Sequence, residues 1–349
     1  MTQLPIDKGD HAGTPVARAR WRRLLGPLGQ IPTPVIFASG LALALVVLWI
    51  QGALRDALAA VVDADPGMLL LAAPIYVGSL ALLCFRWHAL VLMAQGTSDL
   101  PKAAEAFLTS VVINYAAPIG LAVPSRAALT KRALGLDAQA TGTIAIWEIG
   151  MDVAVLGAGT VLWLVLAEGS PGAVRTQLAE SAEVFTIGAI GLVALAIVAG
   201  SWLLKSPTRR ERVLPVVRRM LLAPSARPGG ALLALVTTIV YWGMQGIVIA
   251  LLLRSLDVDH SFEFVLGLTS LPILIGMLSP VPGGAVVREA LMYVVARLAD
   301  VPGDAVIAAA VIYRFALFAA IPILYVVARW WIAHRPEPMG LHDLEPHRQ

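Results

Sequence analysis

The sequence predicts an all-α protein that crosses a membrane several times. Of its 349 residues, 58% are hydrophobic and only 14% are charged, and the mean hydropathy is +0.79. Soluble domains carry roughly 25% charged residues, and no polar stretch of this chain is long enough to form one. Apolar runs of about 20 residues recur, which is the length an α-helix needs to cross about 30 Å of hydrocarbon. A soluble enzyme is therefore excluded as the default interpretation.

The distribution of polar residues argues against several other classes of protein. The net charge of +3 comes from basic residues in short segments beside apolar runs, which is not the pattern of a nucleic-acid-binding surface. The single cysteine, Cys84, forms no intrachain disulfide, and no Cys/His cluster has metal-ligand spacing. P-loop, nucleophile-elbow, zinc-protease and dinucleotide motifs are absent from the sequence. We therefore expect no nucleic acid, metal, cofactor or catalytic constellation.

Six apolar runs are long enough to cross a membrane as helices. The first follows 33 mostly polar residues that include four closely spaced arginines, and it is too long for the apolar core of a signal peptide. We expect residues 1–33 to form a basic cytoplasmic segment, 34–331 the transmembrane domain and 332–349 a disordered polar tail. The predicted spans are residues 34–54, 68–92, 141–167, 184–204, 229–253 and 305–328.

Two further apolar regions, residues 103–134 and 264–298, are broken near their middle by proline and glycine. The limbs of the second region, 264–279 and 285–298, would extend about 24 and 21 Å as helices, which is too short to span comfortably. We therefore predict that each region forms a re-entrant helical hairpin. The predicted breaks are Pro118, Gly120 and Pro124 in the first hairpin and Pro280, Pro282, Gly283 and Gly284 in the second.

The positions of Lys and Arg predict that both termini lie in the cytoplasm of a bacterial-type inner membrane. If each hairpin returns to the side from which it enters, one side receives 19 basic residues, seven of them in the loop 205–227, and the other side receives five. The first hairpin then enters from the cytoplasm and the second from outside. Such opposed broken segments are typical of inverted-repeat transporters, whose site lies near the midplane. The alternative is that both regions are only short, kinked packing helices.

Eight ionisable side chains within the apolar regions are candidates for a functional role, because each costs at least about 2.5–3.5 kcal/mol in hydrocarbon unless it is paired or faces a polar cavity. Glu148 and Asp152 are four residues apart, so both carboxylates lie on one helix face, where arginines of neighbouring helices are natural partners. The eight are Arg86, His88, Arg126, Glu148, Asp152, Arg288, Glu289 and Arg314.

Two of these arginines are candidates to bind an anion. Arg126 and Arg288 each follow a proline and glycine break, where backbone N–H groups and the positive end of a half-helix favour an anion. Arginine adds a planar fork that matches phosphate bidentately. Arg314 either completes this positive site or neutralises Glu289. The alternative for each charge is a buried ion pair that only sets helix register.

A set of short motifs resembles the transmembrane region of lysylphosphatidylglycerol synthases and the related stand-alone flippase-like membrane proteins. The resemblance covers about residues 34–331 and lacks the soluble aminoacyl-transferase domain, so it implies the lipid-handling half only. It implies that Asn114 joins Arg126, Arg288 and Arg314 as a headgroup ligand. The motifs are Arg86-Trp87, Asn114 with Pro118 and Arg126, Glu148 with Asp152, Ser279 to Gly284 leading to Arg288-Glu289-Ala290, and Tyr313-Arg314.

The sequence thus predicts a protein that moves an anionic phospholipid or a lipid-linked precursor between leaflets. In this hypothesis Glu148, Asp152 and Glu289 pair with arginines, including Arg86, when the site is empty, and exchange of partners provides a gate. Three alternatives remain: a non-transporting scaffold for a lipid synthase or glycosyltransferase, an intramembrane lipid-modifying enzyme, and a transporter of a small soluble anion. A lipid-synthesis enzyme is a possible partner of the protein.

Overall fold

The computed structural model of the protein describes residues 31–50, 53–116, 122–166, 201, 207–278 and 287–335. Within these residues every regular element is a helix and there is no strand. The helices are α1 Thr33–Ile50, α2 Ala53–Asp63, α3 Pro66–Gln95, α4 Leu100–Ala116, α5 Ala122–Leu134, α6 Ala138–Leu166, α7 Pro207–Leu221, α8 Ala223–Ala226, α9 Pro228–Ser255, α10 Phe262–Leu278, α11 Val287–Leu298 and α12 Gly303–Ala333.

Among the described residues, four helices, α3, α6, α9 and α12, are long and apolar enough to cross a membrane. They correspond to four of the six predicted spans, so the prediction of a multi-pass α-helical membrane protein is confirmed. The span predicted at 34–54 contains nearly all of α1 and the first residues of α2, and residues 51–52 between these helices lie outside the described residues. The span predicted at 184–204 lies almost wholly outside the described residues, as do most of segment 1–33 and tail 332–349.

Helix α2 was not predicted, because it is short and carries charge. Its sequence, ALRDALAAVVD, places small apolar residues at helical spacing beside Arg55 and Asp56. Ala57 is buried, and the helix packs against α12. An amphipathic segment of this length has no signal in a search for apolar runs of 20 residues.

Local capping explains why α3 begins and ends where it does. The side chain of Asp65 accepts a hydrogen bond of 2.8 Å from the N–H of Met68, and Pro66 occupies the first turn, where its missing N–H costs nothing. At the other end Gly96 adopts φ +87°, and its N–H donates to the carbonyl of Leu92. Only glycine takes this left-handed conformation without strain, so the helix stops there.

Helices α3 and α9 form a closely packed antiparallel pair. At one end the N–H of Asp65 donates to the carbonyl of Ser255 over 2.7 Å. At the other end Arg227 donates to the carbonyls of Met93 and Ala94 over 3.0 and 2.8 Å, which satisfies acceptors at the end of α3. The N-terminal turn of α9 approaches so closely that a Cβ on Gly230 would lie 2.9 Å from the backbone nitrogen of Met93. Small residues thus allow backbone contact, as is usual between membrane helices.

Each predicted hairpin is represented by two short helices. Helices α10 and α11 have 17 and 12 residues, or about 26 and 18 Å, and pack against each other. Helix α10 also lies against α6, where a Cβ on Gly267 would lie 2.6 Å from the indole nitrogen of Trp163, and α11 packs on α12. Helices α4 and α5 pair in the same way. The apices, residues 117–121 and 279–286, lie outside the described residues.

The basic segment treated as a loop at 205–227 is largely helical in the structure. Helix α7 docks on α6, where the indole N–H of Trp147 donates to the carbonyl of Met220 over 3.0 Å. Pro215, inside the helix, weakens a prediction of helix from the sequence, whereas contact with α6 stabilises the helix. The segment 205–227 is basic whether it is a loop or a helix.

Replacement of Gly230 by alanine is expected to destabilise the protein, because the new methyl group meets the backbone of Met93. Overpacking of this kind costs about 1–3 kcal/mol. Gly229 is the matched control, since a Cβ there meets nothing within 4 Å. The thermal unfolding midpoints of Gly230→Ala and Gly229→Ala in the same detergent provide the comparison. Equal midpoints would contradict the close approach of α3 and α9.

Candidate functional site

A buried ion pair joins the centres of α3, α6 and α9. The Nη1 and Nη2 atoms of Arg86 donate to Oδ1 and Oδ2 of Asp152 over 2.8 and 2.9 Å. Nη2 also donates to the carbonyl of Glu148 over 2.9 Å, and the indole N–H of Trp242 donates to Oδ1 of Asp152 over 2.8 Å. The side chains of Arg86 and Asp152 are only 2% and 7% exposed. The carboxylate therefore accepts three hydrogen bonds in a site that excludes solvent.

This arrangement explains how two charges are accommodated at membrane depth. Desolvation of an ion pair is offset only when the geometry is good and further hydrogen bonds satisfy the remaining polar atoms. The bidentate contact, the indole donor and the Glu148 carbonyl supply this geometry, and among the described residues Nε of Arg86 is the atom of the pair without a partner. The partner of Asp152 is thus Arg86, while the side chain of Glu148 is partly buried one turn earlier on α6.

A second ion pair joins α11 and α12. Nη2 of Arg314 donates to Oε1 of Glu289, with side chains 23% and 18% exposed. Sequence reasoning left two roles open for Arg314, and in the structure it contacts Glu289. The pair is more exposed than the one between Arg86 and Asp152, so partner exchange here costs less desolvation.

Arg288 lies beside this second pair but has different surroundings. Its Cζ lies over the ring of Tyr313, 4.7 Å from the centroid, which is a cation–π contact. Its Nε and Nη2 atoms are buried and have no hydrogen-bond partner among the described residues. The ring of Tyr76 on α3 meets Tyr313 edge to face, with centroids 5.1 Å apart. Arg288 therefore presents buried donors that an anion can satisfy.

Polar groups along α3 connect the two arginine clusters. The hydroxyl of Ser79 donates to the carbonyl of Tyr76 over 2.7 Å, and the amide of Gln245 on α9 donates to the Ser79 hydroxyl over 3.0 Å. Gln245 is fully buried, and its Oε1 has no partner among the described residues. From Tyr76 to Arg86 the helix rises about 15 Å. We call this series from Tyr76 through Ser79 and Gln245 to Arg86 the polar column.

A third buried polar cluster joins α4 to α12. The phenol of Tyr325 and Nη1 of Arg329 both donate to Oε1 of Glu105, over 3.2 and 3.3 Å. The ring of Phe37 on α1 stacks on Tyr325 with centroids 3.7 Å apart. Sequence reasoning missed Glu105, although an acidic residue within the apolar stretch of the first hairpin is a signal that could have found it.

The other residues that sequence reasoning missed are aromatic or neutral. Trp242, Tyr76, Ser79 and Gln245 occur within apolar helices, where their residue types give no indication of a site. The packing of α3 against α9 and α12 brings them into contact with Asp152, Tyr313 and one another.

Several predicted site residues remain untested. Asn114 lies in α4 and Arg126 in α5, but their side chains lie outside the described residues. Pro124 is the third residue of α5 and so lies in its first turn, where proline is well tolerated. The breaks predicted at Pro118, Gly120, Pro280, Pro282, Gly283 and Gly284 all lie outside the described residues.

Within the described part of the chain, no group of three or more His, Cys, Asp or Glu side chains has an arrangement that would hold a metal ion. The chemistry available at the buried clusters is therefore that of arginine, carboxylate, amide and aromatic groups. These groups bind and orient anions by charge and hydrogen bonds.

Comparison with known families identifies the domain. Residues 35–324 match the family described as the lysylphosphatidylglycerol synthase TM region. The chain belongs to this family. The resemblance inferred from short motifs is thereby confirmed, over nearly the extent predicted. No curated protein matches the chain. Membership in the lysylphosphatidylglycerol synthase TM-region family associates this membrane protein with lipid metabolism, and the matched region contains both arginine clusters and the polar column.

Removal of either partner of the Arg86 and Asp152 pair is expected to destabilise this family member strongly. An uncompensated buried charge costs about 3–5 kcal/mol. The variants Arg86→Gln, Asp152→Asn and the double variant form a cycle, in which the double variant should lose less than the sum of the single losses. Denaturant unfolding in mixed micelles measures the cycle.

The exposed Arg254, at the end of α9, provides the control for this cycle. Arg254→Gln should leave stability within about 0.5 kcal/mol of the original chain. Additive losses for the Arg86 and Asp152 variants would show that the two side chains do not act as a pair.

Proposed function

We propose that this protein carries an anionic phospholipid or a lipid-linked precursor from one membrane leaflet to the other. The observation that supports this most directly is Arg288, whose Nε and Nη2 donors are buried without partners among the described residues. Buried polar atoms without partners are costly, so such donors are commonly satisfied by something that binds. A lipid phosphate supplies the missing acceptors.

Comparison among the buried arginines supports the choice of Arg288. Arg86 directs both terminal nitrogens to Asp152 and the Glu148 carbonyl, and Arg314 donates to Glu289. These contacts already satisfy much of the charge on those two side chains. Arg86 keeps one buried donor without a partner among the described residues, Nε, whereas Arg288 keeps two adjacent ones, Nε and Nη2, over the ring of Tyr313. In this proposal Arg288 binds the headgroup phosphate, Arg314 supports it, and Asn114 and Arg126 approach from the other hairpin.

The proposed topology has six spans and two re-entrant hairpins. The lengths of α10 and α11, about 26 and 18 Å, favour a hairpin over two further crossings. With both termini in the cytoplasm of a bacterial-type inner membrane, helices α4 and α5 enter from the cytoplasm and α10 and α11 from outside. Opposed hairpins would bring Arg126 and Arg288 together near the midplane, as in inverted-repeat transporters.

The ion pairs provide the proposed gate. Without lipid, Asp152 pairs with Arg86 and Glu289 pairs with Arg314. A phosphate near Arg288 competes with Glu289 for Arg314. The pair of Glu289 with Arg314 is the more exposed of the two ion pairs, so it is the less costly to open. Since each buried charge keeps a partner in both states, the two arrangements differ little in free energy. In this proposal the protein performs no covalent chemistry on the lipid, and an enzyme of lipid synthesis is a candidate partner.

Cysteine labelling tests the proposed topology. In a Cys84→Ala background, Asp259→Cys and Asp304→Cys should react with a membrane-impermeant maleimide in intact cells, because both positions would lie outside. Thr97→Cys and Arg132→Cys should react only after permeabilisation, since both would be cytoplasmic. All four native residues are exposed.

The pairs in this labelling experiment flank the two hairpins. Labelling of Arg132→Cys from the side opposite to Thr97→Cys would show that the segment formed by α4 and α5 crosses the membrane an odd number of times, which would contradict the first hairpin. Opposite labelling of Asp259→Cys and Asp304→Cys would do the same for the second.

Leaflet exchange in proteoliposomes tests the proposed function. Headgroup-labelled phosphatidylglycerol and a labelled polyprenyl phosphate should equilibrate between leaflets in vesicles that contain the protein. Arg288→Ala should lower the exchange rate at least about tenfold, because an Arg–phosphate contact contributes about 1.5–3 kcal/mol. Arg297→Ala, an exposed position on the same helix α11, is the matched control and should exchange normally.

The thermal unfolding midpoint of each variant establishes that it is folded. Absence of exchange for every anionic lipid, with or without a proton gradient, would contradict lipid transport. Normal exchange by folded Arg288→Ala would show that lipid exchange does not depend on this arginine.

A further inference from the structure

The two buried arginines use different edges of the guanidinium group. A guanidinium offers one pair of parallel donors at its end, Nη1 with Nη2, and another at its side, Nε with a terminal nitrogen. Arg86 uses the end pair for Asp152, over 2.8 and 2.9 Å. In Arg288 the buried donors without partners among the described residues are Nε and Nη2. These two atoms belong to the side edge, so Arg288 retains one complete fork.

The ring of Tyr313 is placed to hold this fork in one orientation. Its contact is with the face of the guanidinium, since Cζ of Arg288 lies over the ring at 4.7 Å from the centroid. A contact through the face leaves the donor edges available. Tyr313 itself is 8% exposed and lies against Tyr76, which is 2% exposed. The position of the Arg288 guanidinium is thereby linked to α3 as well as to α11 and α12.

A fork of two adjacent N–H donors matches two oxygens on one central atom. Phosphodiesters and phosphomonoesters present such a pair in their non-bridging oxygens, and the contact is shorter and stronger than a neutral hydrogen bond. An ammonium group at the same place would supply charge but no fork. The geometry of the site therefore distinguishes arginine from a general positive charge.

We propose that Tyr313 is a positioning residue that presents the Nε and Nη2 edge of Arg288 to the two non-bridging oxygens of a lipid phosphate. The proposal rests on the proposed function and specifies how that site recognises its substrate class. The Arg288 edge selects the phosphate group through its pair of non-bridging oxygens. In this proposal the phosphate belongs to a phospholipid headgroup and is not free phosphate.

Binding of a fluorescent phosphatidylglycerol to the purified full-length chain in detergent tests the proposal, with anisotropy as the readout. Tyr313→Phe keeps the ring and should bind with the original affinity. Tyr313→Leu removes the ring and should weaken binding about tenfold, within the range of desolvated cation–π contacts. Arg288→Lys keeps the charge and should also weaken binding about tenfold, because the fork is lost.

Tyr293→Leu is the matched control, since Tyr293 is an exposed tyrosine on α11. It should bind phosphatidylglycerol with the original affinity. Rescue by Tyr313→Phe separates positioning of Arg288 from a general effect on folding, and Arg288→Lys provides a second measurement if Tyr313→Leu does not fold. Binding by Tyr313→Leu or Arg288→Lys at the original affinity would overturn the proposal.

Competition experiments identify the source of the phosphate. Unlabelled phosphatidylglycerol should displace the probe, while inorganic phosphate at the same concentration should not, because it lacks the acyl chains. Equal displacement by inorganic phosphate would overturn selection of a lipid headgroup.

Leaflet exchange distinguishes this proposal from the proposed function. If exchange depends on Arg288 but Tyr313→Leu binds phosphatidylglycerol normally, the positioning role is overturned and transport is retained. If no lipid exchanges but binding requires the Tyr313 ring and the Arg288 fork, transport fails and the headgroup site is supported.

Discussion

The cost of a charge in hydrocarbon governs how the helices of this protein associate. Apolar contact contributes little to helix association in a lipid environment, because lipid tails are as apolar as leucine. Arg86 and Asp152 must each find a partner at membrane depth, and their bidentate contact joins α3 to α6. Trp242 extends the same contact to α9. Three of the four long helices described are thereby joined, and Gly230 lies in close contact with the backbone of Met93 in this arrangement.

Tyr76 links the packing of α11 and α12 to the helices joined by Arg86 and Asp152. This residue lies on α3 and contacts Tyr313 on α12, and Tyr313 in turn supports Arg288 on α11. Glu289 and Arg314 close the same interface by an ion pair. A change in the position of α11 therefore affects the ring, the fork and the ion pair together. Coupling through a few discrete contacts is the physical basis on which a bound headgroup would favour one arrangement of the hairpin over another.

Much of the fold follows from composition, whereas the partners in the site do not. Apolar runs of 24 residues or more identify α3, α6, α9 and α12, because a helix satisfies its own backbone hydrogen bonds in lipid. The sequence also identifies Arg86, Asp152, Glu289 and Arg314 as buried charges that need partners. It does not indicate that Asp152 pairs with Arg86, because both Glu148 and Asp152 have the required spacing on α6. Glu105, α2 and the helical form of α7 were missed, since their signals are short or mixed with charge.

The sequence by itself determined that this protein is a multi-pass helical membrane protein of the lysylphosphatidylglycerol synthase TM-region family, with arginines and carboxylates within its apolar regions. Hydropathy and intramembrane charge are properties of single residues and their near neighbours, so they can be read along the chain. Only the tertiary structure decided that Asp152 accepts hydrogen bonds from Arg86 and Trp242, and that Arg288 keeps a donor edge over Tyr313. These relations join residues up to 90 positions apart on different helices. They exist only after packing, because a hydrogen bond depends on distances of a few ångströms that no local pattern specifies.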